Sequence, residues 1–288
     1  MTGGVDVFLT APITFEVTDD VVHCPMVHAS IGGITAKFIL DTGASDHVFT
    51  MEFARRARLE PEPGEPGFDH AGVEVPSFTL GDVVADFAGT TLELSGVFAI
   101  EAPAPFERWG VGGFLSPHSL YPRAWVVIDL VAGQLILATA ESPPMTTWLK
   151  ARHPGMDLLS LERVAGETVA VMGAIEPFAT VVTMLNTGSS GTEFDVAAVP
   201  GLRGAPAEAS GFGLSGSGID GEVVSGRSLR LGGRLFPLSL LLIREKMPPP
   251  PGLVGMDVLA GTVLAVGSLP GQPVLWLVEG GRGIVPTN

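Results

Sequence analysis

Two short stretches constrain this chain more than any other part of it. In Phe38-Ile39-Leu40-Asp41-Thr42-Gly43-Ala44-Ser45 an apolar run delivers one carboxylate into a tight polar turn. In Met184-Leu185-Asn186-Thr187-Gly188-Ser189-Ser190 the arrangement returns, with Asn186 where the first copy has Asp41. The apolar residues read as the ends of buried strands, and Gly43 and Gly188 let the backbone reverse after them. A second pair of landmarks lies beyond the turns at nearly the same distance. Val111-Gly112-Gly113 and Leu253-Val254-Gly255 are apolar segments ending in glycine, with Gly113 72 residues after Asp41 (113 − 41) and Gly255 69 after Asn186 (255 − 186). The chain therefore reads as two copies of one unit, a duplication of a whole lobe and not a short-period repeat.

The rest of the sequence fits short strands joined by turns. Ile13 to Val17, Val21 to Ala29 and Thr35 to Leu40 read as strands, separated by Asp19-Asp20 and by the hairpin signal Ile31-Gly32-Gly33. Met51 to Leu59 carries helix formers at helical spacing and is stopped by Pro61 and Pro63; its arginines read as a solvated face. Gly72 to Leu94 reads as two or three strands with turns at Gly81-Asp82 and Gly89, and Trp125 to Leu130 with Gln134 to Leu137 as a closing pair with Asp129 at its bend. Ser142-Pro143-Pro144 and His153-Pro154-Gly155 break the pattern. We therefore expect an N-terminal lobe over 1–140, a link over 141–157 and a C-terminal lobe over 158–288. In the second lobe, Leu158 to Leu161, Val169 to Met172 and Phe178 to Leu185 read as strands, and Val263 to Val266 with Val274 to Val278 as the closing pair. Ala209 to Gly218, rich in Gly and Ser, reads either as a mobile tip over a cleft or as a surface loop.

Composition narrows the partners. Sixteen basic against 31 acidic residues give a net charge of −15, which repels polyanions and argues against nucleic acid or an anionic membrane surface. Leu235 to Ile243 is apolar but interrupted by Pro237, well short of the roughly 20 residues a membrane helix needs. The single cysteine, Cys24, allows no intrachain disulfide, and Met1 to Pro12 has neither the basic nor the apolar region of a signal peptide, so a cytoplasmic protein is expected. The six histidines are scattered, and His23 and His28 fall on opposite faces of a strand; no metal site and no cofactor motif is expected.

The two turns resemble the active-site turns of pepsin-like aspartic proteases, where each half contributes an Asp-Thr-Gly-Ser/Ala-Ser turn. The lobes are similar to single subunits of retroviral proteases. This resemblance implies an all-β, two-lobed pepsin-like acid protease fold with pseudo-two-fold symmetry and few short helices. It implies that Asp41 and the residue at position 186 face each other as a catalytic pair, and that Thr42 and Thr187 lock the turns together across the lobes. It also implies that Gly43 and Gly188 complete the turns, and that Ser45 and Ser190 hold the outer carboxylate oxygens. The apolar-Gly segments would complete a psi-shaped loop beneath each turn, although Gly112 stands where a larger apolar residue is usual. A flap hairpin would close over substrate from the region after Pro66. Its usual tyrosine is missing, since the only one is Tyr121; Trp109 or Phe78 could supply an aromatic wall, and core packing is the plainer role for each.

The resemblance implies a monomeric aspartic endopeptidase that takes a peptide or protein substrate in the inter-lobe cleft. Asn186 bears on its activity. An amide is nearly isosteric with a protonated carboxyl group but neither takes nor gives a proton in the working pH range, so the shared-proton cycle lacks one member and the chain should be inactive or slowed. Two origins stand open: an engineered Asp-to-Asn change, or a natural pseudoprotease that serves as a peptide-binding or regulatory module.

Overall fold

A computed structural model describes residues 4–15, 17–18, 21–103, 106, 108–164, 168–177, 180–207, 214–269 and 271–280. The Gly32-Gly33 pair turns the chain between strands Met26–Ile31 and Ile34–Leu40, both glycines at positive φ (57° and 80°), as a two-residue hairpin turn demands. Gly32 has a second constraint, because a Cβ there would lie 2.4 Å from the carbonyl oxygen of Ala57. Strand Ile34–Leu40 ends fully buried at Leu40 and so brings Asp41 to a fixed place.

In the N-terminal half, Val111–Leu115 lies parallel to Ile34–Leu40 and antiparallel to Val48–Thr50. Val48–Thr50 lies parallel to Thr90–Ile100, which forms a hairpin with Ser77–Phe87, and the latter returns to pair with Met26–Ile31. The C-terminal half repeats these pairings one for one. Val181–Leu185 pairs with Ala170–Ile175 and lies parallel to Gly252–Val254, which is antiparallel to Glu193–Asp195. Glu193–Asp195 is parallel to Arg234–Arg244, whose hairpin partner Gly221–Leu231 returns to Ala170–Ile175. Helices among the described residues are short: Met51–Arg56, Ser142–Arg152, Met256–Leu259 and one 3-10 turn, Pro117–Ser119. The architecture is the all-β, two-lobed fold of aspartic proteases.

A six-strand run joins the halves. Asp6–Thr14, Gln134–Thr139 and Trp125–Asp129 come from one half, Val263–Gly267, Val274–Glu279 and Met156–Leu161 from the other. The seam is the antiparallel pair Trp125–Asp129 and Val263–Gly267. The first strand starts at Asp6, earlier than the expected Ile13, because its register from Asp6 to Pro12 is supplied by Gln134–Thr139, a partner far along the chain. The expected strand Val21 to Ala29 is divided into Val21–Val22 and Met26–Ile31; Pro25 between them has no N–H to give a ladder. The strand expected from Phe178 is described from Val181, Phe178 itself lying outside the described residues.

The stretch 141–157 contains a structured element that its prolines did not suggest. Pro143 and Pro144 occupy the first turn of helix Ser142–Arg152, where a missing N–H costs nothing. The helix buries Met145 and Leu149 against Trp125, Val127, Ala265 and Leu275 of the shared sheet. Its C-terminal end is tied to Asp129, which is fully buried and accepts from Arg152 Nε (3.1 Å), His153 Nε2 (2.9 Å) and the Ala132 N–H (2.8 Å). Removing one partner of such a buried pair leaves the others unsatisfied. Asp129→Ala is therefore expected to cost about 3 kcal/mol in a urea denaturation measurement, with Asp129→Asn costing less because it keeps an acceptor.

Candidate active site

The two turns meet at the junction of the lobes and bond to each other reciprocally. The Thr42 N–H donates to Thr187 Oγ1 (3.1 Å) and the Thr187 N–H to Thr42 Oγ1 (2.9 Å). Each hydroxyl then donates across the junction to the carbonyl before the opposite turn, Thr42 to Leu185 and Thr187 to Leu40, both at 2.5 Å. Both threonines are fully buried. Beneath the turns, Asp41 N–H donates to Leu115 O (2.9 Å) and Asn186 N–H to Val254 O (2.8 Å), so the two apolar-Gly segments support matching points.

Asp41 and Asn186 hold equivalent positions in this lock. Gly43 N–H donates to Asp41 Oδ1 (2.8 Å) and Gly188 N–H to Asn186 Oδ1 (2.7 Å). Each side chain also lies over the glycine of the opposite turn. A Cβ on Gly188 would fall 2.4 Å from Asp41 Cγ, and one on Gly43 would fall 2.5 Å from Asn186 Nδ2. Only glycine fits at either place. Burial pushes the Asp41 carboxyl above its ordinary value, opposed by the Gly43 N–H, the charge of His70, and the N–H groups of Ala44 and Gly188. Cys24 lines the same cleft, but burial and then the Asp41 charge push its thiol up to about 12, which leaves no thiolate for nucleophilic chemistry.

The serines behave differently from expectation. Ser45 Oγ donates to the neighbouring Asp46 (2.6 Å), because the turn aims it away from Asp41. Ser190 contributes its carbonyl oxygen, which accepts the Asp257 N–H (3.1 Å). The small residue at Gly112 has a plain cause: a Cβ there would lie 2.9 Å from both Ala36 Cβ and the Phe38 ring, so Phe38 fills the space a larger residue would take.

Behind the N-terminal turn sits a buried histidine with no counterpart in the other lobe. His47 Nδ1 accepts the Ser116 N–H (3.2 Å), the place where Thr192 Oγ1 accepts the Gly255 N–H (3.3 Å) in the C-terminal lobe. His47 is fully buried, its Nε2 has no partner among the described residues, and burial holds its pKa down to about 4. The unfolded chain binds that proton near pH 6.5. Stability is therefore whole above about pH 6.5 and is lost as pH falls toward 4, by up to about 3 kcal/mol from this residue. His47→Thr is expected to flatten the fall in urea midpoint between pH 7 and 4.5.

The turns open into a cleft of about 1560 Å³, larger than most small-molecule pockets. Its N-terminal wall is apolar, with Met26, Ile39, Phe106, Val111 and Phe114 packed together. Trp109 lines it, 42% exposed and edge-on to Phe106, whereas Phe78 packs toward Met51, Ala54 and Ala99. The region 72–94 does not form a separate flap: Ser77–Phe87 and Thr90–Ile100 are drawn into the lobe's sheet at both edges. A small hairpin just before it, Gly67–Phe68 with Glu74–Val75, borders the cleft instead. Of the Gly/Ser-rich stretch, residues 209–213 lie outside the described residues, while Leu214 lines the cleft. Sequence reasoning missed Asp69, His70, Glu193 and Arg244, which meet at this hairpin. Their partners are more than a hundred residues away, so no local spacing marks them.

Two all-β lobes that share a sheet and interlock through paired Thr-Gly turns are the architecture of an aspartic protease. In agreement, residues 27–99, which carry the Asp41 turn and the small hairpin, match the model of a family described as aspartyl protease. A search of curated proteins finds no match. No helix among the described residues is long and apolar enough to cross a membrane.

Proposed function

We propose that the chain is an aspartic-type endopeptidase scaffold that binds an extended peptide between its lobes, with Asp41 as the proton-carrying group and Asn186 at its partner's position. The observation that carries this reading is the reciprocal Thr42–Thr187 lock, which sets Asp41 and Asn186 in equivalent cradles at the floor of one cleft. Peptide hydrolysis in this class needs two carboxyl groups that share one proton, one activating water while the other protonates the carbonyl oxygen. Asn186 can donate a hydrogen bond to a bound carbonyl but carries no transferable proton. The chain as it stands should bind peptide and turn it over slowly or not at all.

A second reading, a non-catalytic peptide-binding or regulatory module, is favoured by Asn186 itself: its Oδ1 is satisfied by Gly188, so the site is complete without a second acid. The same experiment separates the two. Peptide cleavage is measured for the chain and for Asn186→Asp, with Asp41→Ala as control, alongside calorimetric titration of peptide into the unaltered chain. Asp41-dependent cleavage in Asn186→Asp supports the enzyme reading; binding without any gained turnover supports the module. The proposal includes a monomer with lobes at 1–140 and 158–288 arisen by internal duplication, for which the matched strand pairings speak. It also includes a cytoplasmic setting, consistent with a single thiol.

A further inference from the structure

The hairpin at the cleft cannot stand by itself. Its strands, Gly67–Phe68 and Glu74–Val75, are two residues long and form an isolated two-stranded sheet that pairs with neither lobe. A hairpin of that size has no stability of its own in water. Phe68 at its edge is 73% exposed, so apolar packing does not hold it either.

Polar contacts to the opposite lobe hold it. Asp69 Oδ1 accepts the Val73 N–H (2.9 Å), which fixes the turn internally. Asp69 Oδ2 accepts both the N–H (3.0 Å) and the Oγ–H (2.7 Å) of Ser215 from the other half of the chain. His70 reaches a buried ion pair of the C-terminal lobe, Glu193 with Arg244 (3.1 Å), 6% and 5% exposed. His70 Nε2 lies 2.9 Å from Glu193 Oε2, and Arg244 Nη1 donates to the His70 carbonyl oxygen (3.0 Å). Gly67, Asp69 and His70 line the same cleft as Asp41 and Asn186.

We propose that this hairpin is a gate latched shut across the cleft by Asp69–Ser215 and by His70–Glu193–Arg244, so that a peptide reaches Asp41 only after the latch lets go. The inference rests on the reading of the cleft as a peptide site. An extended peptide cannot pass between a turn and a wall that are within hydrogen-bond distance of each other. Contacts to charged groups are the strong ones, and they are concentrated where the hairpin meets the other lobe. The resting state is closed, and the rate of entry is set by opening.

The test joins the two sides covalently. Asp69→Cys with Ser215→Cys is made in the full chain carrying Cys24→Ser, and a fluorescein-labelled decapeptide selected from a random library against the unaltered chain is the probe. Oxidation is expected to slow peptide association at least about 100-fold, with dithiothreitol restoring it; association at the same rate in both states overturns the gate. Ser215→Ala, which removes one latch donor, should speed amide hydrogen exchange at 67–75 about tenfold, and unchanged exchange overturns the latch without reference to any ligand. A library that yields no binder overturns the peptide-site reading alone, because the exchange measurement still decides the latch.

Discussion

Asn186→Asp should raise peptide cleavage at least about 10³-fold over the present chain, in the range that acid–base groups supply. The reason is local. Position 186 is already cradled as position 41 is, each side chain over the opposite glycine and each accepting the N–H two residues on. Nothing needs to move for a carboxyl group to take the place of the amide. Asp41 is already pushed up by burial, and a second carboxylate beside it raises the pair further, so one proton is held between them on the acid side. Cleavage should therefore fall as pH rises and the shared proton is lost. The assay is hydrolysis of a quenched-fluorescent peptide from pH 4 to 8, and Asp41→Ala in the same background should abolish the gain. At the acid end the protonation of His47 works against the fold, so the usable window closes from below as well.

Thr187→Val is expected to destabilise the chain by about 3 kcal/mol, since it leaves the Thr42 N–H and the Leu40 carbonyl buried without partners. Thr42→Val should cost a similar amount for the mirror-image reason, with the Thr187 N–H and Leu185 carbonyl stranded. Serine at either place keeps the hydroxyl and should recover most of the loss. Because the bonds cross from one half to the other, the double variant should cost less than the two single losses added together. The measurement is the urea midpoint for each member of that cycle. Full additivity would mean that the threonines act within their own lobes.

Features that a few adjacent residues determine were legible in the sequence. The apolar run into Asp41 and its echo into Asn186 announced buried strands, tight turns and a pair of lobes, and the apolar-Gly segments emerged from spacing alone. Less was legible where partners are remote. Asp6 begins a strand only because Gln134–Thr139 lies beside it, and helix Ser142–Arg152 forms against a sheet that both halves build. Pro143 and Pro144 read as breakers because their tolerance at a helix start depends on the residues after them finding that sheet. The polar contacts of Ser45 and the role of Gly112 were set by side-chain directions, with the hydroxyl turned to Asp46 and the Phe38 ring filling the gap. The latch was the least visible, since Asp69, His70, Glu193 and Arg244 have no common motif and meet only in the folded chain.

The most direct test of a shared-proton pair exchanges the two groups. Asp41→Asn combined with Asn186→Asp keeps a single carboxylate but moves it to the other lobe. If catalysis needs two carboxyl groups sharing a proton, the exchanged chain should be as silent as the present one, with turnover only in the chain that has Asp at both positions. Cleavage by the exchanged chain at the rate of the two-Asp chain would contradict this, because one carboxylate would then be enough.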